Sequence, residues 1–493
     1  MSNWLIALVI LPLSVSLLCV LWPKLADRLS LLAALFQLGA ALWLLPSIGD
    51  GHKLIHLMGG WSAGLGIALR ADALSAVLVL LCSIVGLAAT VFARRYFTDL
   101  GTRYRFWPLW WLLNTAIVAL LLSGDLFNLY VTLELLGLSA AALCTIGRAK
   151  IEALQAALRY LMLGLIGSLL FLAGVSLIYA EYGTLDLEAL GAKIAQTPAT
   201  LTALLLLSNG LLIKCALVPL HFWLPAAHGS APAPVSAVLS ALVVKVAFYL
   251  LIRLWLELFG PVLTSTFATL VGSLGAAAVI WGSWRALTAV RLKLVAAYST
   301  LSQMGYLFLF VPILVALPDD QSRQLVFGAL VLFALSHGVA KAALFMGIGV
   351  FQQRFGHDRI DQLAGAARQL PVACFAIGLA GVALVGLPPS GAFLAKWNLI
   401  SHSLVTGQWW WMVVTLVGTG LAAAYFVRVV GAAFVNSEQG PSVEAPAVKG
   451  ASLILQVPAL VLACLATFGL GLGAVSLWDL LALSPIGFEI GGS

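Results

Sequence analysis

Apolar residues along this chain come in long unbroken blocks, not in strict alternation and not in the mixed spacing of a half-buried helix. Fourteen blocks recur from end to end, at about 4–22, 29–46, 72–93, 106–123, 126–146, 157–180, 201–224, 232–257, 264–282, 290–315, 325–350, 371–401, 408–434 and 451–477. Each is near the ~20 residues that a helix needs to cross a bilayer. Lipid-facing strands would alternate with a period of two instead. The pattern predicts an all-α integral membrane protein with about fourteen transmembrane helices. The longest polar connections, 181–199, 351–370 and 435–450, are too short for a soluble module, so residues 1–493 read as a single membrane domain.

Two blocks are interrupted. The seventh contains Lys214, then Pro219 and Pro225, and runs into HGSAPAPVSA; the twelfth contains VGLPPSGAFLAK, with Pro388 and Pro389 in mid-run. Proline removes a helix hydrogen bond and clashes one turn back. Inside a membrane such a break survives only beside protein or a water-filled cavity. Broken helices 7 and 12, five apart, predict two inverted five-helix repeats, over residues 106–257 (helices 4–8) and 264–434 (helices 9–13). Secondary transporters are often built this way.

Charge then sets the orientation. Loops after odd-numbered spans hold seventeen Lys and Arg residues, whereas loops after even-numbered spans hold Lys53, Arg70, Lys193, Arg253 and Arg323. Positive residues favour the cytoplasm, which predicts cytoplasmic odd loops and both termini on the extracytoplasmic side of the cell inner (plasma) membrane. The net charge of +7 thus reports topology, and with no basic tail or aromatic-interleaved patch no nucleic-acid partner is expected. The first block has its positive residues after the apolar run, so it reads as a membrane helix rather than a cleaved signal peptide. Tryptophans such as Trp107, Trp110, Trp111 and Trp409 to Trp411 lie near span ends, as an aromatic belt would. The six cysteines are isolated and no Gly-rich phosphate loop follows a strand. No cofactor and no metal site is expected, and any redox or ATP chemistry would sit on another subunit.

Lys214, Lys245, Lys341 and Lys396 lie inside predicted spans, as does Glu134 in GDLFNLYVTLELLGLSAAAL. Each such charge costs roughly 2.5–3.5 kcal/mol at a helix centre on insertion scales, on the order of 10 kcal/mol for the five. That cost implies partners, a hydrated cavity or neutralised side chains. A row of such groups can pass protons as neighbours move, and a proton path through the bundle is the sharper reading. The plainer one is that Glu134 pairs with Lys214 and fixes packing. His337 and Lys341 are four apart and share a helix face; relay and packing stand level for that pair. His221 and His228 flank the seventh break near a membrane surface, where channel-mouth or structural roles both fit. Asp125 reads as a helix cap, and Tyr298, Ser299, Ser302 and Gln303 as packing residues.

SGDLFNLYV leading into Glu134, VPLHFWLPAAHGSAPAPVSAVLSALVVKVAFY, KLVAAYSTLSQMGY, SHGVAKAALF and GLPPSGAFLAKW together resemble the antiporter-like proton-translocating subunits. That family spans complex I, membrane-bound hydrogenases and Mrp-type multisubunit cation/proton antiporters. GDLFNLYV and the chain length look most like the D-type member of the Mrp antiporters. The resemblance implies fourteen helices and two half-channels meeting at a central lysine. It makes Glu134 the fifth-helix glutamate, Lys214 the seventh-helix lysine, Lys245 the central eighth-helix lysine and Lys396 the twelfth-helix residue. Lysine at 396 argues against the complex I-type subunit with glutamate there. Relatives often read Asp-Leu-Lys-Arg before the AYS motif, where this chain has Arg291, Leu292, Lys293 and Leu294; Lys293 is kept and the local acid is absent.

The expected function is a subunit of a Na⁺/H⁺ antiporter complex, a secondary transporter with no chemistry of its own. The alternative is a proton-pumping membrane arm of a quinone reductase or hydrogenase. A scaffold without transport ranks third. Expected partners are other membrane subunits, protons, Na⁺ and the lipid bilayer.

Overall fold

The computed structural model describes residues 3–48, 53–61, 66–146, 151–435 and 453–483. His52 and the odd-loop residues Arg148, Lys150 and Lys449 lie outside the described residues. All fourteen apolar blocks are helical where described. The first six are α1 (Asn3–Leu21), α2 (Ala26–Ile48), α3 (Ala73–Tyr96), α4 (Leu100–Leu121), α5 (Leu126–Cys144) and α6 (Ile151–Tyr182). The seventh splits into α7 (Pro198–Lys214) and α8 (Trp223–Ser230). Next come α9 (Ala233–Leu258), α10 (Ser265–Thr288), α11 (Leu292–Ala316) and α12 (Asp320–Phe355). The twelfth splits into α13 (Pro371–Val385) and α14 (Gly391–Val405); α15 (Trp409–Phe434) and α16 (Leu453–Leu472) follow. Among the described residues, eleven helices are long and apolar enough to cross a membrane; α4 is not among them, nor are α7, α13 and α14, cut short by the breaks.

A helix apolar on every side must be buried on every side, and α9, α11 and α12 are buried along nearly their whole length. These three form the centre, with the other helices wrapped around them. Small residues set how closely neighbours approach, as expected where lipid offers no hydrophobic drive. A Cβ on Gly275 would sit 2.8 Å from the Gly305 carbonyl, and one on Gly282 2.9 Å from the Tyr298 carbonyl, so α10 and α11 meet backbone to backbone. Gly167 and Gly210 do the same for α6 and α7; a Cβ on Gly210 would collide with the Gly167 carbonyl and come within 3.0 Å of the Phe171 nitrogen.

Three expectations need correcting. Trp107, Trp110 and Trp111 are not belt residues: each is about 1% exposed and donates its indole N–H, to Asp27 at 2.7 Å, Thr90 at 3.2 Å and Ser30 at 2.8 Å. Their N–H groups find acceptors on α2 and α3, with Ser30 and Thr90 buried and Asp27 half-buried, which offsets the cost of burying them. Trp409 and Trp410 are exposed, as a belt requires, but Trp411 is buried and donates to Gln408 Oε1 at 2.6 Å. Arg253, counted among the loop residues, is buried inside α9. Finally, a short antiparallel hairpin, β1 (Leu54–Leu57) with β2 (Ala68–Ala71), joins α2 to α3 in register Leu54 to Ala71; its four-residue strands were too short to register against the apolar blocks. Asp125 does cap α5, accepting from the Asn128 N–H at 2.8 Å.

The α6–α7 contact holds the helix that ends in Lys214, four residues after Gly210. Gly210→Ala is expected to destabilise the protein by ~1–3 kcal/mol, the usual penalty of overpacking, read as a lower Tm of the purified protein in detergent.

Candidate functional site

Lys214 ends α7 and Lys396 lies inside α14, so a lysine stands at each helix break. A break leaves main-chain carbonyls without helical partners. After Lys214 the chain leaves the helix through Cys215 and Ala216, the latter at φ 54°, and Trp223 donates to the freed Ile213 carbonyl at 2.9 Å. At the other break, Gly386 turns the chain with φ 81°, and Lys396 itself donates to the Val385 carbonyl at 2.9 Å. Pro219, Pro388 and Pro389 lie in the breaks, outside any helix. Pro225 does not: it occupies the first turn of α8, where a missing N–H costs nothing.

Glu134 and Lys214 face each other without touching. Lys214 Nζ lies where a Cβ on Gly137 would be 3.8 Å away, beside the turn that carries Glu134, and the two charges act on each other. Among the described residues no ion pair within 4.0 Å joins them, so the plain pairing reading is not what the geometry provides. Cys215, next to Lys214, places its Sγ 3.8 Å from the Val244 carbonyl and so ties this end to Lys245.

Lys245 sits near the middle of α9, immediately after a π-turn at Leu239–Val243. Such a turn displaces carbonyls from their usual i+4 partners, and the Ser240 carbonyl accepts from Lys245 Nζ. On the other side, Lys245 Nζ is 3.5 Å from His337 Nε2 on α12. One turn along α12, Lys341 donates to the Ala296 carbonyl at 2.9 Å and to Ser299 Oγ. Ser240 and Thr300 hydroxyls meet at 2.8 Å, and Thr300 also donates to the Ala296 carbonyl. Lys245, His337 and Lys341, from 0% to 2% exposed, therefore belong to one polar cluster.

His228, expected to flank the break near a membrane surface, is buried beside this cluster. It is 0% exposed, stacks on Phe345 at 4.9 Å, and neither ring nitrogen has a hydrogen bond. The charges of Lys341, Lys245 and Lys293 all reach it. The gap between α8 and α9 turns His228 inward. His221 remains at the break, stacked on Phe222 at 5.0 Å. Lys293 donates to the Ala231 carbonyl at 2.6 Å. The acid missing before the AYS motif is supplied from afar: Asp358 accepts from the Lys293 backbone N–H at 3.1 Å and pairs with Arg291 at 3.0 Å.

The Lys396 end holds residues that sequence reasoning passed over. Nζ donates to Thr419 Oγ1 at 3.0 Å and lies 4.2 Å from the centre of the Tyr306 ring. The Tyr306 hydroxyl donates to the Thr415 carbonyl at 3.2 Å. Between this end and Lys341, Gln303 donates to the Leu384 carbonyl at 2.9 Å, and the buried Tyr425 hydroxyl faces Ser299 and Gln303. Tyr306 closes the quoted motif KLVAAYSTLSQMGY but was given no role there; Thr419 and Tyr425 carried no signal in the sequence.

A cavity of about 950 Å³ opens at one face of the bundle. Its lining includes Glu152, Arg159, Lys293, His357 and Asp358, together with Ala231 at the α8–α9 gap. All of these come from one end of the helices, the end that carries the odd-numbered loops. The cavity reaches Lys293, and beyond Ala231 lie His228 and the central lysines.

Residues 123–422 match the family described as NADH:quinone oxidoreductase/Mrp antiporter, transmembrane. The chain is 34% identical to the N-type subunit of NADH-quinone oxidoreductase from Desulforudis audaxviator, covering 96% of this chain and 95% of that one. It is 28% identical to the D-type subunit of the Na⁺/H⁺ antiporter from Bacillus subtilis, covering 97% and 95%. Among solved structures, a chain of the Mrp complex from Dietzia sp. superposes with a TM-score of 0.87 at 27% identity, covering 98% of this chain and 96% of that one. Helices, breaks and family match agree, and this multi-pass membrane chain belongs to the NADH:quinone oxidoreductase/Mrp antiporter transmembrane family.

Proposed function

We propose that this chain is the proton-translocating subunit of a multisubunit Na⁺/H⁺ antiporter complex of the Mrp type, in a cell inner (plasma) membrane. The observation that carries the reading is the row of buried amines: Lys214 beside Glu134, then Lys245 with His337 and Lys341, then Lys396. Resemblance to the D-type antiporter subunit and to a chain of an Mrp complex supports it. Other membrane subunits are its partners, and the bilayer surrounds them. Odd-numbered loops face the cytoplasm and both termini lie outside, so the cavity at Lys293 takes protons from the cytoplasmic side. Residues 106–257 and 264–434 act as two inverted repeats, each with a lysine at its broken helix.

In this reading the chain moves protons and makes or breaks no other bond. A charge change at Glu134 biases Lys214, and Lys214 biases Lys245. Lys245 exchanges a proton with His337 across 3.5 Å, and His337 shares a helix face with Lys341. Arrival of charge at Lys396 resets the row. A second reading, a proton-pumping membrane arm of a complex I-like quinone reductase, is favoured by one observation, the 34% identity to an N-type oxidoreductase subunit over nearly the whole chain.

Everted vesicles carrying the chain with its neighbouring subunits decide between them. A dye-reported proton gradient collapsing on Na⁺ addition, but not in Lys245→Ala, supports the antiporter. A gradient generated by NADH or another electron donor, with no cation response, supports the redox pump. Lys245→Ala is expected to lower proton movement roughly 100-fold or more, the scale of losing a positioned proton-transfer group. Lys245→Arg is expected to do no better, because arginine does not deprotonate; wild-type transport in either variant removes Lys245 from the path. Glu134→Ala is expected to lose cation-driven proton movement while the complex still assembles, as checked by native gel. Loss of assembly in that variant would make Glu134 a packing residue.

A further inference from the structure

Lys245, Tyr249, Arg253 and Glu257 follow one another at intervals of four along α9. Residues so spaced share a helix face, so a polar stripe runs from the central lysine to the end of the helix opposite the large cavity. The Arg253 guanidinium lies 4.9 Å from the centre of the Tyr249 ring, and the Tyr249 hydroxyl donates to the Leu121 carbonyl at 2.9 Å.

The stripe ends in a closed ring of four charges. Arg253 grips Asp72 with both terminal nitrogens at 2.8 Å and donates to Glu257 at 2.7 Å. Arg70 bonds Asp72 at 3.2 Å and Glu257 at 3.0 Å. Side-chain exposure grades from 5% and 6% at Arg253 and Asp72 to 11% and 18% at Arg70 and Glu257, so the ring lies between the interior and the surface. Burial by itself would raise the Asp72 carboxyl, but the guanidinium groups of Arg253 and Arg70 hold it well below the usual carboxylate range. Asp72 therefore stays a carboxylate within the ring. Beside Lys245 and Tyr249, the first two members of the stripe, lies a cavity of about 20 Å³, otherwise lined by apolar side chains such as Leu74, Phe248 and Val331. That is room for about one water, with few groups to hold it.

We propose that the Arg70–Asp72–Arg253–Glu257 ring is the stopper that closes Lys245 from the face opposite the large cavity. A proton on Lys245 then has to continue along the row instead of leaking out. This rests on the reading of Lys245 as a proton carrier. Two physical facts make the ring a barrier as well as a brace. A guanidinium does not deprotonate, so Arg253, next after Tyr249 along the stripe, hands no proton on, and Arg253 and Asp72, 5% and 6% exposed and locked in ion pairs, leave water little access past them. A ring that merely pinned the hairpin to α9 would need neither the aligned stripe nor a cavity reaching Lys245.

The test measures passive proton leak in proteoliposomes of the purified complex, with an imposed pH gradient, a clamped potential and no Na⁺. The variant is Asp72→Asn with Arg253→Gln, which removes both charges together and keeps hydrogen-bonding groups. Its gradient is expected to collapse about tenfold faster than wild type, equivalent to ~1.4 kcal/mol off the barrier. Adding Lys245→Ala is expected to abolish that excess leak. An assembled double variant as tight as wild type overturns the proposal, and so does a leak indifferent to Lys245→Ala. If the double variant fails to assemble, Arg253→Lys, which keeps the charge but can give up its proton, is expected to leak several-fold; an assembled, tight Arg253→Lys overturns the proposal too. Failure of the antiporter reading is separately visible: a wild-type complex without cation-driven exchange fails that reading, whatever the leak assay returns.

Discussion

A lysine inside a bilayer has to find an acceptor, and a regular helix has few to spare, its carbonyls being already bonded along the axis. This constraint organises the whole centre of the protein. Lys245 bonds the Ser240 carbonyl beside a π-turn, Lys293 the Ala231 carbonyl in the α8–α9 gap, and Lys396 the Val385 carbonyl at the twelfth break. Lys341 shares the Ala296 carbonyl with Thr300. Three of the four acceptors exist because the helix is interrupted or wound differently at that point. The breaks are therefore part of how the amines are housed, and the prolines and glycine that make them belong to the site.

The choice of acceptor separates two kinds of buried charge. The lysines bond neutral carbonyls, which steady an ammonium without trapping it. Arg253, by contrast, is held by two carboxylates in a closed ring. Removing one member of such a pair leaves an unpaired buried charge at several kcal/mol, so the ring stays put; a carbonyl-bound amine has no counter-charge to lose. Lys214 follows neither pattern, since Glu134 stands near it without an ion pair. A carboxylate at that range biases a neighbour without locking it, and this is the geometry that a relay needs.

Close packing keeps these groups in register. Glycine contacts between α10 and α11, and between α6 and α7, bring main chains together where any side chain would intrude. The first fixes α11, with Lys293, Thr300 and Tyr306, and a Cβ on Gly338 would lie 3.1 Å from the Ala241 carbonyl, so α12 and α9 are equally close. Short hydrogen-bonded distances between three separate helices survive only if those helices cannot slide.

The membrane class, the helical blocks, the two breaks and the buried lysines were all legible in the sequence, because length, apolar continuity and the cost of intramembrane charge act locally. So was Asp125 as a cap, a contact made within three residues. Which charges meet is a matter for the fold alone. Asp72 and Arg253 are 181 residues apart, and no periodicity links them. His228 turns inward because the gap between α8 and α9 aims it there, and Trp107, Trp110 and Trp111 are buried because acceptors on other helices wait for them. Asp358 reaches Lys293 from 65 residues away, restoring an acid that the local motif lacks. A buried polar group is satisfied by whatever the fold brings to it, and one-dimensional spacing carries no record of that.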